Sequence, residues 1–396
     1  MPKEPVISER ARRVNPSPTL SLTAKIGAMK AEGADIIAFT AGEPDFDTPD
    51  HIKQAAIDAL NQGFTKYTPT GGIPALKSAV CDKLNRDNGL SYEPKNVLVS
   101  VGGKHSLFNA FLALLDPGDE VIIPAPYWVT YPEQVIFAEG KPVVIETKES
   151  EGFKLKADAV KAALTPRTKA LVLNSPSNPT GAVYEAEELE KIARLAVEND
   201  FWVISDEMYE QLTYGETAVS IASYGEDVKA RTLTMNGCSK AYSMTGWRIG
   251  YTAGPADVIG AMTRIQDQST SCPTSIAQRA AVAALNGPQE VVAVMRAAFN
   301  ERRDVLVDGL NALPGVRCAL PGGAFYAFPD FSGWLQGDIT GSDALAAVLL
   351  EKYGVGVIPG SGFGADTCVR LSYATSMDAI REGLSRLEKA SKDLAG

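Results

Sequence analysis

From Val97 onward the chain alternates short apolar runs with stretches whose apolar residues recur at helical spacing. The runs are Val97–Val101, Val121–Pro124, Pro142–Glu146, Lys169–Asn174, Phe201–Ser205, Thr232–Asn236 and Ile249–Ala253. Each is short, nearly continuous in apolar residues and bounded by turn residues, which is the pattern of a strand buried on both faces. Between them, Leu107, Phe108, Phe111, Leu112 and Leu115 mark one helical face, and Leu189, Ile192, Ala193 and Ala196 mark another. Strands alternating with helices predict an α/β fold: a large domain with a seven-stranded, mostly parallel sheet covered by helices.

After residue 298 the pattern changes. Val316–Leu320, Gly323–Phe328, Val355–Ile358 and Cys368–Tyr373 read as short strands separated by longer helical stretches. A final helix from Ser376 carries Ile380, Leu384 and Leu387 on one side. This predicts a smaller α+β domain. At the other end, Asn15-Pro16-Ser17-Pro18 reads as irregular, Thr23–Glu32 as a helix stopped by Gly33, and Ile36–Phe39 as a strand. The expected organisation is an N-terminal arm and small-domain segment over 1–48, a large domain over 49–298 and the small domain over 299–396.

Composition narrows the function. The chain has 396 residues, 45% hydrophobic and 22% charged, as in an ordinary globular enzyme. A net charge of −10 argues against a nucleic-acid partner. No apolar run approaches the roughly 20 residues of a membrane span. Met1–Arg10 lacks the apolar core of a signal peptide, so a cytoplasmic protein is expected. The five cysteines are far apart, and the only histidines are His51 and His105. That leaves little basis for a metal site or a Ser-His-Asp triad. Proton chemistry must come from lysine, tyrosine or carboxylates.

The densest chemistry lies between the last two runs, in Gly237-Cys238-Ser239-Lys240-Ala241-Tyr242-Ser243-Met244-Thr245-Gly246-Trp247-Arg248-Ile249-Gly250. A lysine amine in a dry site can lose its proton and form a Schiff base, and an arginine fork suits a phosphate. Other candidates stand at strand ends. Gly102-Gly103-Lys104 opens a helix, where free N–H groups favour an anion. Tyr127-Trp128 places aromatic rings beyond the second run, and Asn178 follows the fourth. Asp206 closes an apolar run, so its carboxylate is partly buried and needs a cation or good donors. Arg370 sits among apolar neighbours on a strand. Gly42-Glu43-Pro44-Asp45-Phe46 and Tyr67-Thr68-Pro69-Thr70-Gly71-Gly72 are punctuated loops.

The Gly237–Gly250 segment resembles the pyridoxal 5'-phosphate attachment site of the class I aminotransferases, and it matches that pattern at every fixed position. The likeness runs from the N-terminal arm to Arg370 with motifs in the family's order, and it is nearest to the bacterial aspartate aminotransferase branch of fold type I. The resemblance implies that Lys240 carries pyridoxal 5'-phosphate. It implies that Arg248, Gly103, Lys104, Ser239 and, from a partner chain in a homodimer, Tyr67 hold the phosphate. It pairs Asp206 with the pyridine nitrogen, Tyr209 and Asn178 with the 3'-oxygen, and Trp128 with the ring face. It gives Gly42, Trp128, Asn178 and Arg370 to the substrate, Gly42 through its backbone N–H and Arg370 by gripping the α-carboxylate. Another branch binds the distal carboxylate through an arginine before a Ser-Asn-Pro-Pro stretch, but Gln266–Pro273 here has no arginine. In the branch this chain resembles, a lysine and a threonine do that work, matched by Lys104 and Thr19.

The implied reaction is transamination between L-aspartate or L-glutamate and 2-oxoglutarate or oxaloacetate, in a ping-pong cycle. The same scaffold also hosts alanine, aromatic and prephenate aminotransferases and carbon–sulfur lyases. A non-enzymatic binding module has no reason to keep Lys240, Asp206, Tyr209, Asn178 and Arg370 together.

Overall fold

In the computed structural model, residues 7–395 are described. Met1–Val6, on which part of the signal-peptide reading rests, and Gly396 lie outside the described residues. The strands in chain order are β1 (Ile37–Ala38), β2 (Val97–Ser100), β3 (Glu120–Ala125), β4 (Lys141–Glu146), β5 (Thr168–Asn174) and β6 (Trp202–Asp206). They continue with β7 (Thr232–Gly237), β8 (Gly250–Ala253), β9 (Tyr326–Ala327), β10 (Val355–Gly356), β11 (Ile358–Pro359) and β12 (Val369–Ser372).

The seven apolar runs join in one sheet of order β2-β8-β7-β6-β5-β3-β4. The pairs from β4 through β7 are parallel, and β8 runs antiparallel to both its neighbours. Only the edge strand β4 is substantially exposed, and there the apolar run is short and bounded by the charges of Lys141 and Glu146. Central strands need cover on both faces. Leu107, Phe111 and Met262 of helices Gly103–Leu114 and Ala256–Asp267 pack on Leu98, Ile204 and Met235. On the opposite face, Leu189 and Ile192 of helix Ala186–Glu198 pack on Leu171, Leu173 and Val203.

The small domain holds a three-stranded antiparallel sheet, β11-β12-β9, and the parallel pair β1-β10. Pairing of Ile37 with Val355 brings the N-terminal segment into this domain. Its core is aromatic, with Phe299, Phe325, Phe331, Trp334 and Tyr373 around Leu371 and Leu387. Helix Glu290–Asn311 runs without a break through position 298. Its Val292 packs with the large-domain cluster, and Phe299, Leu306 and Leu310 pack in the small-domain core.

The structure departs from the sequence pattern at several places, and Val355–Ile358, read as one strand, divides into β10 and β11 of separate sheets. The helix expected from Thr23 begins at Pro18 and runs to Ala31, so of the stretch read as irregular Asn15–Ser17 is non-helical and Pro18 is the first helical residue. Ser17 caps the Leu20 N–H, and proline at the first helical position sacrifices no hydrogen bond. Val316–Leu320 forms no strand, only a bridge between Arg317 and Asp330. The Asn311 side chain accepts from the Cys318 N–H and donates to the Cys318 carbonyl, satisfying the groups a strand partner would have used. The helix marked by the Leu107–Leu115 face begins at Gly103, which places Gly103 and Lys104 in its first turn. No helix among the described residues is long and apolar enough to cross a membrane.

Candidate active site

The sheet delivers its chemistry at the carboxyl ends of β5, β6 and β7, where parallel sheets present ligand-binding loops. Register places Asn174 beside Asp206. The Asn174 amide donates to the Asp206 carbonyl at 2.9 Å, and its Oδ1 accepts from the Asn178 N–H at 2.8 Å, tying the following loop to the strand end. The Asp206 carboxylate is buried. It accepts from the Tyr131 hydroxyl at 2.8 Å and the Met208 N–H at 3.2 Å, and no cation pairs with it among the described residues. Burial pushes its pKa up, while those donors and the Lys240 charge pull it down. A buried carboxylate held by neutral donors is suited to receive a cationic N–H.

Beyond β7 the chain turns through buried Cys238 and Ser239 into Lys240. The Lys240 ammonium donates to the Gly42 carbonyl at 2.5 Å and lies 5.9 Å from the ring centroids of Tyr209 and Phe325. Burial, then repulsion from Arg370, brings its pKa down to about 8 despite the counteracting Glu43. A substantial neutral fraction is therefore present near that pH, as a nucleophile and base requires. The Gly42 N–H, expected at the substrate, is accompanied by a carbonyl that holds this amine.

The Gly102-Gly103 turn meets Arg248. Gly102 has φ +87°, and a Cβ there would stand 2.3 Å from an Arg248 guanidinium nitrogen, so only glycine fits. Arg248 has φ +57° and donates to the Thr245 carbonyl at 2.7 Å, with no acidic partner among the described residues. Guanidinium and helix N-terminus together make a cradle for an anion. The Lys104 carbonyl accepts from Gln134 at 3.0 Å, and the Lys104 ammonium stands 5.0 Å from the Trp128 ring centroid. Desolvation, then Arg248, lowers its pKa.

Arg370 of β12 approaches from the small domain. It is 3% exposed, donates to Asn178 Oδ1 at 2.9 Å and to the Thr40 carbonyl at 3.3 Å, and leaves Nε without a partner. Its guanidinium carbon lies 4.4 Å from the Tyr326 ring centroid and 5.3 Å from that of Phe363. No carboxylate pairs with it among the described residues, and a buried cation in that state favours an anionic ligand.

These groups converge on one cavity of about 630 Å³. Thr19, Gly42, Gly103, Lys104, Trp128, Asn178, Asp206, Tyr209, Ser239, Lys240, Arg248 and Arg370 all line it. Tyr67 does not; the residue is 93% exposed. A more open groove near Glu149 and Asp330 contains Arg317, but that guanidinium is already paired with both acids. Sequence reasoning missed Tyr131, Asn174, Glu43 and Tyr326, which also line the cavity. Asn174 carried a usable signal, a polar residue closing an apolar strand, the same one that marked Asp206. Tyr131 and Tyr326 are aromatic residues among aromatic neighbours, and nothing local separates them from core.

Over residues 34–387 the chain matches the family model described as aminotransferase class I and II. The chain belongs to that family. This aminotransferase is 52% identical over 386 residues to the aspartate aminotransferase of Geobacillus stearothermophilus, covering 97% of this chain and 98% of the relative. It is 52% identical over 390 residues to the aspartate/prephenate aminotransferase of Nitrosomonas europaea, covering 96% and 98%. Among solved structures it resembles the Thermus thermophilus aspartate aminotransferase with maleate, at TM-score 0.93 and 49% identity, covering 98% of this chain and 100% of that one. The large domain with its mixed seven-stranded sheet and the smaller α+β domain are thus a fold type I architecture.

Proposed function

We propose that this protein is a pyridoxal 5'-phosphate-dependent aminotransferase. In this reading it exchanges an amino group between L-aspartate or L-glutamate and a 2-oxo acid, 2-oxoglutarate or oxaloacetate, as a cytoplasmic homodimer. The observation that carries the reading is the set of buried charges around Lys240: a carboxylate at Asp206 and a guanidinium at Arg370, neither in an ion pair among the described residues. Those uncompensated charges, with the Arg248 cradle, fit a cofactor that offers a phosphate and a protonated ring nitrogen.

Arg248, the Gly103 and Lys104 N–H groups and the Ser239 hydroxyl would hold the phosphate, joined by Tyr67 of the partner subunit. The full exposure of Tyr67 on the single chain is compatible with service to another subunit. Asp206, oriented by Tyr131 and the Met208 N–H, would face the ring nitrogen. Tyr209 and Asn178 would face the 3'-oxygen, Trp128 the ring, and Lys240 would form the covalent link. When bound, the cofactor supplies an electron sink for the charge left at an amino acid's Cα after its proton departs. Arg370 and Asn178 orient the α-carboxylate, the fork of the arginine fixing direction as well as charge. The Lys240 amine, freed from that link when an amino acid takes its place, would take up the Cα proton and return one across the same site, a role its depressed pKa suits. The 2-oxo acid product would leave on hydrolysis, and a second 2-oxo acid would collect the amino group in the other half of the ping-pong cycle.

Lys104 and Thr19 would hold the distal carboxylate. Support comes from their shared cavity wall and from a related enzyme solved with maleate, itself a dicarboxylate. A second reading, broader acidic substrates including prephenate, is favoured by the cavity volume of about 630 Å³ and by the name of the Nitrosomonas relative. The test is a panel of amino donors scored by the spectral change of the bound cofactor, with borohydride reduction to identify the modified lysine. Lys104→Ser keeps the N–H and removes the charge, so kcat/KM for aspartate should fall by on the order of a hundredfold while alanine changes little. An equal fall for both substrates would remove the dicarboxylate assignment, and label on a lysine other than Lys240 would remove the site.

A further inference from the structure

Tyr326 was not singled out by its sequence context, and the roles above do not use it. Its strand β9 pairs antiparallel with β12, placing Tyr326 opposite Ser372. Side chains two residues apart on a strand share a face, so Tyr326 is a diagonal cross-strand neighbour of Arg370. The ring follows that placement and lies against the guanidinium, 4.4 Å from centroid to Cζ. The phenol oxygen lies 2.9 Å from the Tyr209 hydroxyl. Tyr209 belongs to the loop after β6, so this bond joins the small domain to the end of the large sheet. Both tyrosines are buried, Tyr326 at 1% and Tyr209 at 5% exposure.

A phenol has a single proton. In the Tyr209–Tyr326 pair, either Tyr209 spends its proton on Tyr326, or Tyr326 donates and leaves the Tyr209 proton free for the cavity. The groups facing the pair decide between these. Arg370 lies over the Tyr326 ring, where Glu43 also acts, and the Lys240 amine stands 5.9 Å from the Tyr209 ring centroid, where Asp206 also acts. Burial raises both phenols and Arg370 offsets part of that at each, but at Tyr326 the guanidinium is the largest influence after burial, while at Tyr209 the neighbouring phenol outweighs it and Asp206 adds to the rise. Tyr326 is thus the better donor and Tyr209 the better acceptor.

We infer that Tyr326 is a positioning residue: its ring sets the plane of the Arg370 carboxylate grip, and its hydroxyl donates to Tyr209 so that the Tyr209 proton is directed at an anionic oxygen in the cavity. Chained hydrogen bonds polarise one another, so the second donor strengthens the first. The same residue therefore links the substrate's carboxylate end to the oxygen that Tyr209 serves. This inference rests on the aminotransferase reading and adds a residue to it.

The test separates ring from hydroxyl in the holoenzyme. Tyr326→Phe keeps the stack on Arg370 and removes the donor. The midpoint of the bound cofactor's absorbance titration should rise by about half a unit to one unit, with KM for aspartate changed by less than about threefold. Tyr326→Leu removes both; the same spectral shift should be joined by a rise of about tenfold in KM and in the maleate dissociation constant. Melting temperatures of both variants report folding separately. An unmoved midpoint in Tyr326→Phe overturns the hydroxyl role even if activity falls. Equal KM in the two variants overturns the ring role. If the wild-type chain takes up no pyridoxal phosphate at all, the proposed function itself fails, an outcome distinct from either.

Discussion

The cavity's two walls are built differently. On the sheet side, Asp206 closes a strand of five residues and Lys240 follows one of six, and the neighbours of both strands pair along their length. Their geometry is inherited from a buried ladder. On the small-domain side, Tyr326 comes from a two-residue strand, and Arg370 is oriented by acceptors 192 and 330 positions away in sequence. The sheet wall offers a buried anion and the other wall a buried cation, with Lys240 affected by both. The difference teaches that a site's rigid half can come from local repetition, while its selective half depends on contacts made only after the domains meet.

The largest expected effect breaks the sheet wall. Asp206→Asn preserves shape and the Tyr131 contact but removes the charge, so kcat should fall by roughly a thousandfold or more. Melting temperature and cofactor uptake should stay close to wild type. Near-normal turnover would show that the anion is structural.

The opposite wall should yield less. Arg370→Lys retains a charge and loses the fork and the aromatic stack, leaving Asn178 Oδ1 and the Thr40 carbonyl without their donor. The expected loss in kcat/KM is on the order of a hundredfold, most of it in KM for the amino acid. A loss confined to kcat would place Arg370 on the reacting atoms rather than on the carboxylate.

The smallest effect sharpens how the walls share Lys240. Its folded pKa of about 8 lies below the ordinary 10.5. In the cofactor-free protein the unfolded chain binds more protons between those values, so the contribution of Lys240 to stability rises with pH in that window. Below about 8 both states are protonated and the burial penalty is present in full. Denaturant titrations at pH 7 and pH 9.5 should differ between wild type and Lys240→Met by about 1–2 kcal/mol, with wild type gaining more at high pH. The variant comparison removes the opposing buried phenols and thiols. A difference that vanishes would mean that the lysine is solvated.

The sequence alone determined the α/β alternation, because buried strands need continuous apolar runs and turns need glycine, proline and asparagine. It also determined the lysine–arginine segment and Asp206, since each is set by residues within one strand and its exit. Asn174 was legible by that same rule and went unused. The start of helix Pro18–Ala31 lay within reach too, as Ser17 followed by proline is a capping signal. What only the tertiary structure decided is which aromatic residues leave the core to serve the cavity, and which loop carbonyls and amides meet Arg370. Tyr131 and Tyr326 are chosen by partners on other elements, Asp206 for one and Tyr209 with Arg370 for the other. The failed strand at Val316–Leu320 has the same origin, an asparagine side chain from a preceding helix. Local patterns encode burial and backbone geometry, whereas the pairing of a buried polar group is settled by whichever partner folding brings within about 3 Å.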